Sequence, residues 1–268
     1  MLAQERHNYI LKMLPQKKIV RVSQLSHALK VSGETIRRDL EYLEKEGLLT
    51  RVYGGASMVK VDTNQGAFQL RTQMNVEAKA EIAQAALSYV SEGQSIVLDH
   101  STTCLAFARA LAPHFQDLTI VTNSMEILNV VAGKRSFNTV FCGGQFNHDE
   151  LSCFGEQAMS VVRELNVDTA FIGVGGVSLR EGCTETFFPG ADMLRAMLAA
   201  AQRKIVLADS TKFDRATLIK VCEVTDVDLF ITDSGIKFKV LEKYRNYDIE
   251  IINGLAARPP EAVGMPLN

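Results

Sequence analysis

Between residues 76 and 253 the sequence alternates short apolar runs with helical segments, which restricts the chain to a mainly parallel sheet covered by helices on both faces. The runs at 95–98, 118–122, 139–142, 169–174, 204–207, 229–232 and 249–253 read as strands. The segments at 77–90, 103–111, 126–132, 156–165 and 192–201 read as helices. Such sheets take ligands beyond the carboxyl ends of their strands. Polar and glycine residues gather there in five loops: Asp99-His100-Ser101-Thr102-Thr103, Asn123-Ser124, Gly143-Gly144, Gly175-Gly176 and Ala208-Asp209-Ser210-Thr211-Lys212. The first loop opens a helix. Hydroxyls and unpaired amides at a helix N-terminus suit a phosphate, and Lys212 adds a point charge. Each loop taken alone is explained by helix caps and tight turns; five on one edge point to a polar, anion-accepting pocket.

The first 57 residues follow a different pattern. A helix at 2–14 is expected to stop at Pro15, followed by a short basic strand at 17–22 and a second helix at 22–30. Ser32 then caps a third helix, whose Ile36, Leu40 and Leu43 recur at i, i+4 and i+7. That spacing leaves Thr35, Arg37 and Arg38 outward near the helix start, where a helix reading the major groove needs them. Gly47 is expected to end this helix. The run at 48–56 reads as a β-hairpin wing, with Arg51 and Tyr53 on one face able to touch backbone or minor groove. Charge follows the same division: residues 1–56 carry ten Lys/Arg against six Asp/Glu, and the rest carries 19 against 25. A basic module of this size suits a polyanion, joined to a domain that does not meet one.

The string VSQLSHALKVSGETIRRDLEYLEKEGLLTRVYGGA resembles the helix-turn-helix signature of the DeoR family of sugar-metabolism regulators. Further on, LDHSTT, VTNS, FCGG, Ser152 to Gly155, DTAFIGVGG, EGCT and LADSTKF stand in the order of that family's sensor domain. The resemblance runs from about residue 3 to residue 254. It implies an N-terminal winged helix-turn-helix and a three-layer α/β sensor domain similar in fold to ribose-5-phosphate isomerase. It also implies a phosphosugar site lined by Asp99, Ser101, Thr102, Thr103, Asn123, Gly143, Gly144, Gly175 and Lys212. On the DNA side the candidates are Ser32, Thr35, Arg37, Arg38, Arg51 and Tyr53. Two departures stand out. Ser101 replaces the usual glycine of the phosphate loop, placing a side chain where backbone would approach the ligand, and Leu194 stands where a basic residue is common.

The expected organisation is a DNA-binding domain at 1–57, a linker at 58–75 that is partly packed through Phe68 and Leu70, a sensor domain at 76–255 and a frayed proline-rich tail at 256–268. The expected function is a transcriptional regulator, a repressor relieved by a phosphorylated sugar effector. Its partners would be double-stranded operator DNA and further copies of itself in a homo-oligomer, a dimer or tetramer. No cofactor and no metal are expected. The alternative is a sugar-phosphate isomerase. Asp99, Glu181, Glu185 and Asp209 could serve as its base, but the Gly175-Gly176-Val177-Ser178 loop lacks the acid that those enzymes carry. His100 and Cys104 lie four apart without a second pair to complete a metal site. His148-Asp149-Glu150 reads as a solvated loop. Five scattered cysteines, no apolar run of membrane-spanning length and a charged N-terminus point to the cytoplasm.

Overall fold

The computed structural model describes residues 3–17, 19–45, 49–57 and 67–254. The chain divides into two compact units, Met1–Leu70 and Arg71–Asn268. Gly47 and the tail at 256–268 lie outside the described residues.

The first unit contains α1 (Ala3–Lys17), β1 (Ile19–Arg21), α2 (Val22–Leu29), α3 (Gly33–Lys45), β2 (Thr50–Val52) and β3 (Gly55–Ser57). The helix α1 runs through Pro15 instead of stopping there. A proline so close to the end forfeits few helical bonds. Ile10, Leu14, Val20, Leu25, Leu29, Ile36, Leu40, Leu43, Leu49 and Ala56 form one apolar core. β2 and β3 pair as an antiparallel hairpin, and β1 adds to β3, so the sheet order is β1-β3-β2. This is the winged helix-turn-helix arrangement. An ion pair locks it: Arg6 donates twice to Asp39, at 2.7 and 2.9 Å, and His7 lies 3.1 Å from the same carboxylate. Burial alone would raise the Asp39 carboxyl, but Arg6 and His7 outweigh it and hold the group below its ordinary value.

The segment read as a linker contains α4 (Ala67–Gln73). Seven residues are too few to show a period, and none of Ala-Phe-Gln-Leu-Arg-Thr-Gln opposes a helix. Phe68 is buried.

The second unit continues with α5 (Val76–Leu87), β4 (Ser95–Leu98), α6 (Thr102–His114), β5 (Thr119–Thr122), α7 (Met125–Val131) and β6 (Asn138–Phe141). The hairpin β7 (Gln145–Asn147) and β8 (Ser152–Phe154) leads to α8 (Glu156–Arg163) and β9 (Val167–Ile172). Next come β10 (Gly176–Ser178), β11 (Gly182–Glu185), α9 (Phe188–Ala199) and β12 (Ala201–Leu207). The chain closes with β13 (Ile219–Cys222), β14 (Leu229–Thr232), α10 (Phe238–Arg245) and β15 (Ile251–Asn253). Seven strands form one parallel sheet in the order β15-β14-β12-β9-β4-β5-β6. Alternate strand residues face opposite layers. Val97, Ala170, Val206 and Phe230 share a core with Ala158 and Val162 of α8 and Met193 and Met197 of α9. On the other face Phe171 meets Phe107 of α6, with ring centroids 4.7 Å apart. The strands go outward in two directions from the β4/β9 junction, which is therefore the topological switch point.

Candidate functional sites

The DNA-facing candidates occupy the first unit. Ser32 caps α3, accepting from the amide of Thr35 at 3.1 Å. Thr35 Oγ1 lies 2.9 Å from the Ser32 hydroxyl. Arg37 and Arg38 are exposed, with Glu34 as a nearby counter-charge at 3.2 and 3.6 Å. Their neighbour Asp39 points inward to Arg6, so one turn of α3 splits between an outward basic edge and an inward anchor. Arg51 lies on β2, with its amide donating to Glu44 at 2.7 Å, and Tyr53 stands fully exposed at the hairpin turn. Exposed surface pairs contribute little to stability, so these arginines are free to exchange Glu34 for phosphate or base edges.

The second site is a cavity of about 270 Å³ at the switch point of the parallel sheet. The carboxyl ends of three strands supply its floor: the loop after β4, the Gly173–Gly175 turn after β9, and the Leu207–Lys212 stretch after β12. Ser101 caps α6 by accepting from the Cys104 amide at 3.1 Å. The first two helical amides, of Thr102 and Thr103, are left without an intrahelical acceptor. Ser101 donates to Asp99 at 2.7 Å, and the Gly173 amide donates to the same oxygen at 3.1 Å. The serine side chain is thus turned onto Asp99, into the room left by Gly173. Asp209 is engaged in the same way, capping the turn Ser210–Lys212 through the Thr211 amide at 3.0 Å. Lys212 and Arg215 line the cavity, and no side-chain partner takes either among the described residues. Carboxylates satisfied from within, beside Lys212 and Arg215, give the cavity the chemistry that suits an anion.

Of the nine positions expected in this site, the structure brings together six: Asp99, Ser101, Thr102, Thr103, Gly175 and Lys212. Asn123, Gly143 and Gly144 do not line the cavity. They follow β5 and β6, on the far side of β4, where the β7–β8 hairpin covers the strand ends. Asn123 donates to the Cys153 carbonyl of β8 at 2.8 Å. Gly144 has φ +136°, and a side chain there would stand 2.7 Å from the Phe154 carbonyl oxygen, so its glycine answers to packing. Leu194 is buried beneath the sheet and stands apart from the cavity.

The cavity has further lining residues beyond the expected set. Arg71 belongs to the segment expected to be a linker. Glu150, read as part of a solvated loop, is mostly buried and pairs with Arg71 at 2.5 Å. Burial alone would raise its carboxyl; Arg71 outweighs that and holds it below the ordinary value. His100 packs edge-on against Phe154, with centroids 5.0 Å apart, while Cys104 donates to the Phe171 carbonyl at 3.3 Å. Lys79 carried a legible signal, since it shares the buried face of α5 with Ile82, Ala83 and Ala86 at helical spacing. Among the described residues no group of three metal-ligating side chains occurs, and no helix is long and apolar enough to cross a membrane.

Comparison with known proteins agrees with the division into two units. Residues 6–61 match the DeoR-like helix-turn-helix domain, and residues 74–234 match the DeoR C terminal sensor domain. A relative from Escherichia coli O157:H7 named for transcriptional repression of the aga operon is 32% identical over 250 residues, spanning 92% of this chain and 93% of its own. The L-fucose operon activator of Haemophilus influenzae is 30% identical, spanning 91% of this chain and 97% of its own. Among solved structures, ribose 5-phosphate isomerase A of Methanocaldococcus jannaschii is similar over 52% of this chain and 55% of its own, with a TM-score of 0.40 and 19% identity.

Proposed function

Because the chain belongs to the DeoR family of DNA-binding transcriptional regulators, we propose that it represses a sugar or sugar-alcohol catabolic operon in the cytoplasm and that a phosphorylated sugar relieves the repression. The observation that carries the effector reading is the meeting, in one small cavity, of the open α6 N-terminus with Lys212 and Arg215. A helix N-terminus and two cations suit a phosphate dianion. The cavity falls just below the usual size range for small-molecule sites, which suits one compact phosphorylated ligand. The chain is a regulator rather than an isomerase: the family's named relatives are regulators, and the acids of the cavity already hold Ser101, Thr211, Arg71 or Thr186.

On the DNA side, Thr35, Arg37 and Arg38 enter the major groove, and Arg51 and Tyr53 reach the flanking backbone or minor groove. Ser32 supports them as the cap of α3. A homodimer or tetramer would place two such helices on a repeated operator.

A thermal-melt panel tests the effector reading, comparing phosphosugars with their unphosphorylated counterparts and inorganic phosphate. A ligand at a hundred times its Kd stabilises by about 2.7 kcal/mol. A rise in Tm confined to phosphorylated compounds, and lost in Lys212→Ala, supports the reading. Equal response to unphosphorylated sugars would overturn it.

A further inference from the structure

A buried charge is costly unless each of its bonds is met. Lys79 is 6% exposed, and its ammonium spends two donors on backbone carbonyls, those of Arg71 and, at 2.7 Å, of Met74. Arg71 lies in the last turn of α4, and Met74 immediately follows the helix. Both carbonyls stand at the C-terminal end of α4, where that of Arg71 also accepts from the Met74 amide at 3.3 Å, and a cation there answers the helix dipole. An ammonium has three N–H bonds. Among the described residues no acceptor takes the third, and Lys79 lines the switch-point cavity.

We propose that Lys79 joins an anion in this cavity to the C-terminal end of α4, the helix through which the chain passes from its first unit to its second. The inference rests on the reading of the cavity as an anion site. With the cavity occupied, the three donors of Lys79 reach the Arg71 carbonyl, the Met74 carbonyl and the ligand. The helix end and the ligand then share one cation.

Electrostatics support the same direction. Burial pulls the Lys79 ammonium down to about 8; Asp209 opposes that, while Lys212 and Arg71 add to it. Burial thus works against the charged form of Lys79, and an anion beside it favours that form. A charged Lys79 grips the carbonyls more firmly. The side chain of Arg71 fastens the same helix turn to the cavity wall at Glu150. A helix of seven residues has little stability of its own, so these ties decide whether its last turn stays formed. Because coupling is reciprocal, whatever orders α4 also favours the ligand.

Amide hydrogen exchange on the full-length protein near pH 8 tests this, with inorganic phosphate as the probe and chloride at equal ionic strength as the control. Phosphate should slow exchange in the loop at 99–103 and, several-fold, in α4. In Lys79→Met and Lys79→Gln, α4 should exchange faster than in the wild type and lose its response to phosphate. Protection at 99–103 with no change in α4 of the wild type would overturn this inference and leave the anion site standing. No protection in either segment would overturn both. If either variant fails to fold, the wild-type comparison still decides. An unaltered α4 response in a folded variant would show that Lys79 is not the tie.

Discussion

A side-chain carbon on residue 173 would stand 2.4 Å from the hydroxyl oxygen of Ser101 and 2.5 Å from its Cβ, so the serine occupies the room that Gly173 leaves. The two residues lie 72 positions apart and meet only because β4 and β9 are neighbours in the sheet. Ser101 is therefore accommodated within the loop that opens α6, its hydroxyl turned onto Asp99.

Gly173→Ala should destabilise the second unit by about 1–3 kcal/mol through overpacking. Removing the obstacle with Ser101→Gly in the same chain should recover part of that loss, since residues in contact couple by about 0.5–3 kcal/mol. A double-mutant cycle by urea unfolding measures the term. Simple additivity would show that the two side-chain positions do not compete.

The pair Arg6–Asp39 makes the first unit sensitive to acid. The folded-state pKa of Asp39 is lowered, so its stabilising contribution is present above the unfolded value of about 3.9 and is lost as pH falls through the folded value. Asp39→Asn should cost about 1–3 kcal/mol, because the half-buried Arg6 then faces a neutral amide in place of its carboxylate. Hydrogen exchange of α1 and α3 reads both effects. A variant whose α1 and α3 amides stay as protected as in the wild type would show the ion pair to be incidental.

Arg37→Ala and Arg38→Ala should leave the melting temperature nearly unchanged, as exposed substitutions shift stability by less than about 0.5 kcal/mol. Their effect should fall on DNA. A lost base contact costs about 1–3 kcal/mol, while a lost phosphate contact reduces the salt slope by about one. Titrations of a library-selected operator at several salt concentrations distinguish these roles. Unchanged affinity and slope in both variants would move DNA recognition away from α3.

Lys212→Ala and Arg215→Ala should each weaken phosphosugar binding, because among the described residues neither cation has a side-chain partner to satisfy in its place. Charge-assisted bonds of this kind contribute about 1.5–3 kcal/mol, or roughly one to two orders of magnitude in Kd. Calorimetric titration gives the change. Thr102→Val keeps the helix amide and removes the hydroxyl, so a smaller loss there would assign most of the anion's binding to backbone and cations.

The sequence alone determined the local elements and their chemistry. Apolar spacing placed Ile36, Leu40 and Leu43 inside and Arg37 and Arg38 outside, because a helix repeats its faces every 3.6 residues whatever surrounds it. Alternation of strand and helix determined the parallel sheet, and with it the edge on which the ligand loops lie. Only the tertiary structure decided which of those loops meet. Strand order is set by long-range packing that no local pattern encodes. It put β9 beside β4 and β12 beside β9 to form the cavity, and placed Asn123, Gly143 and Gly144 under the β7–β8 hairpin. The same packing brought Arg71 to Glu150, 79 residues away, turning a stretch without periodicity into a wall of the site.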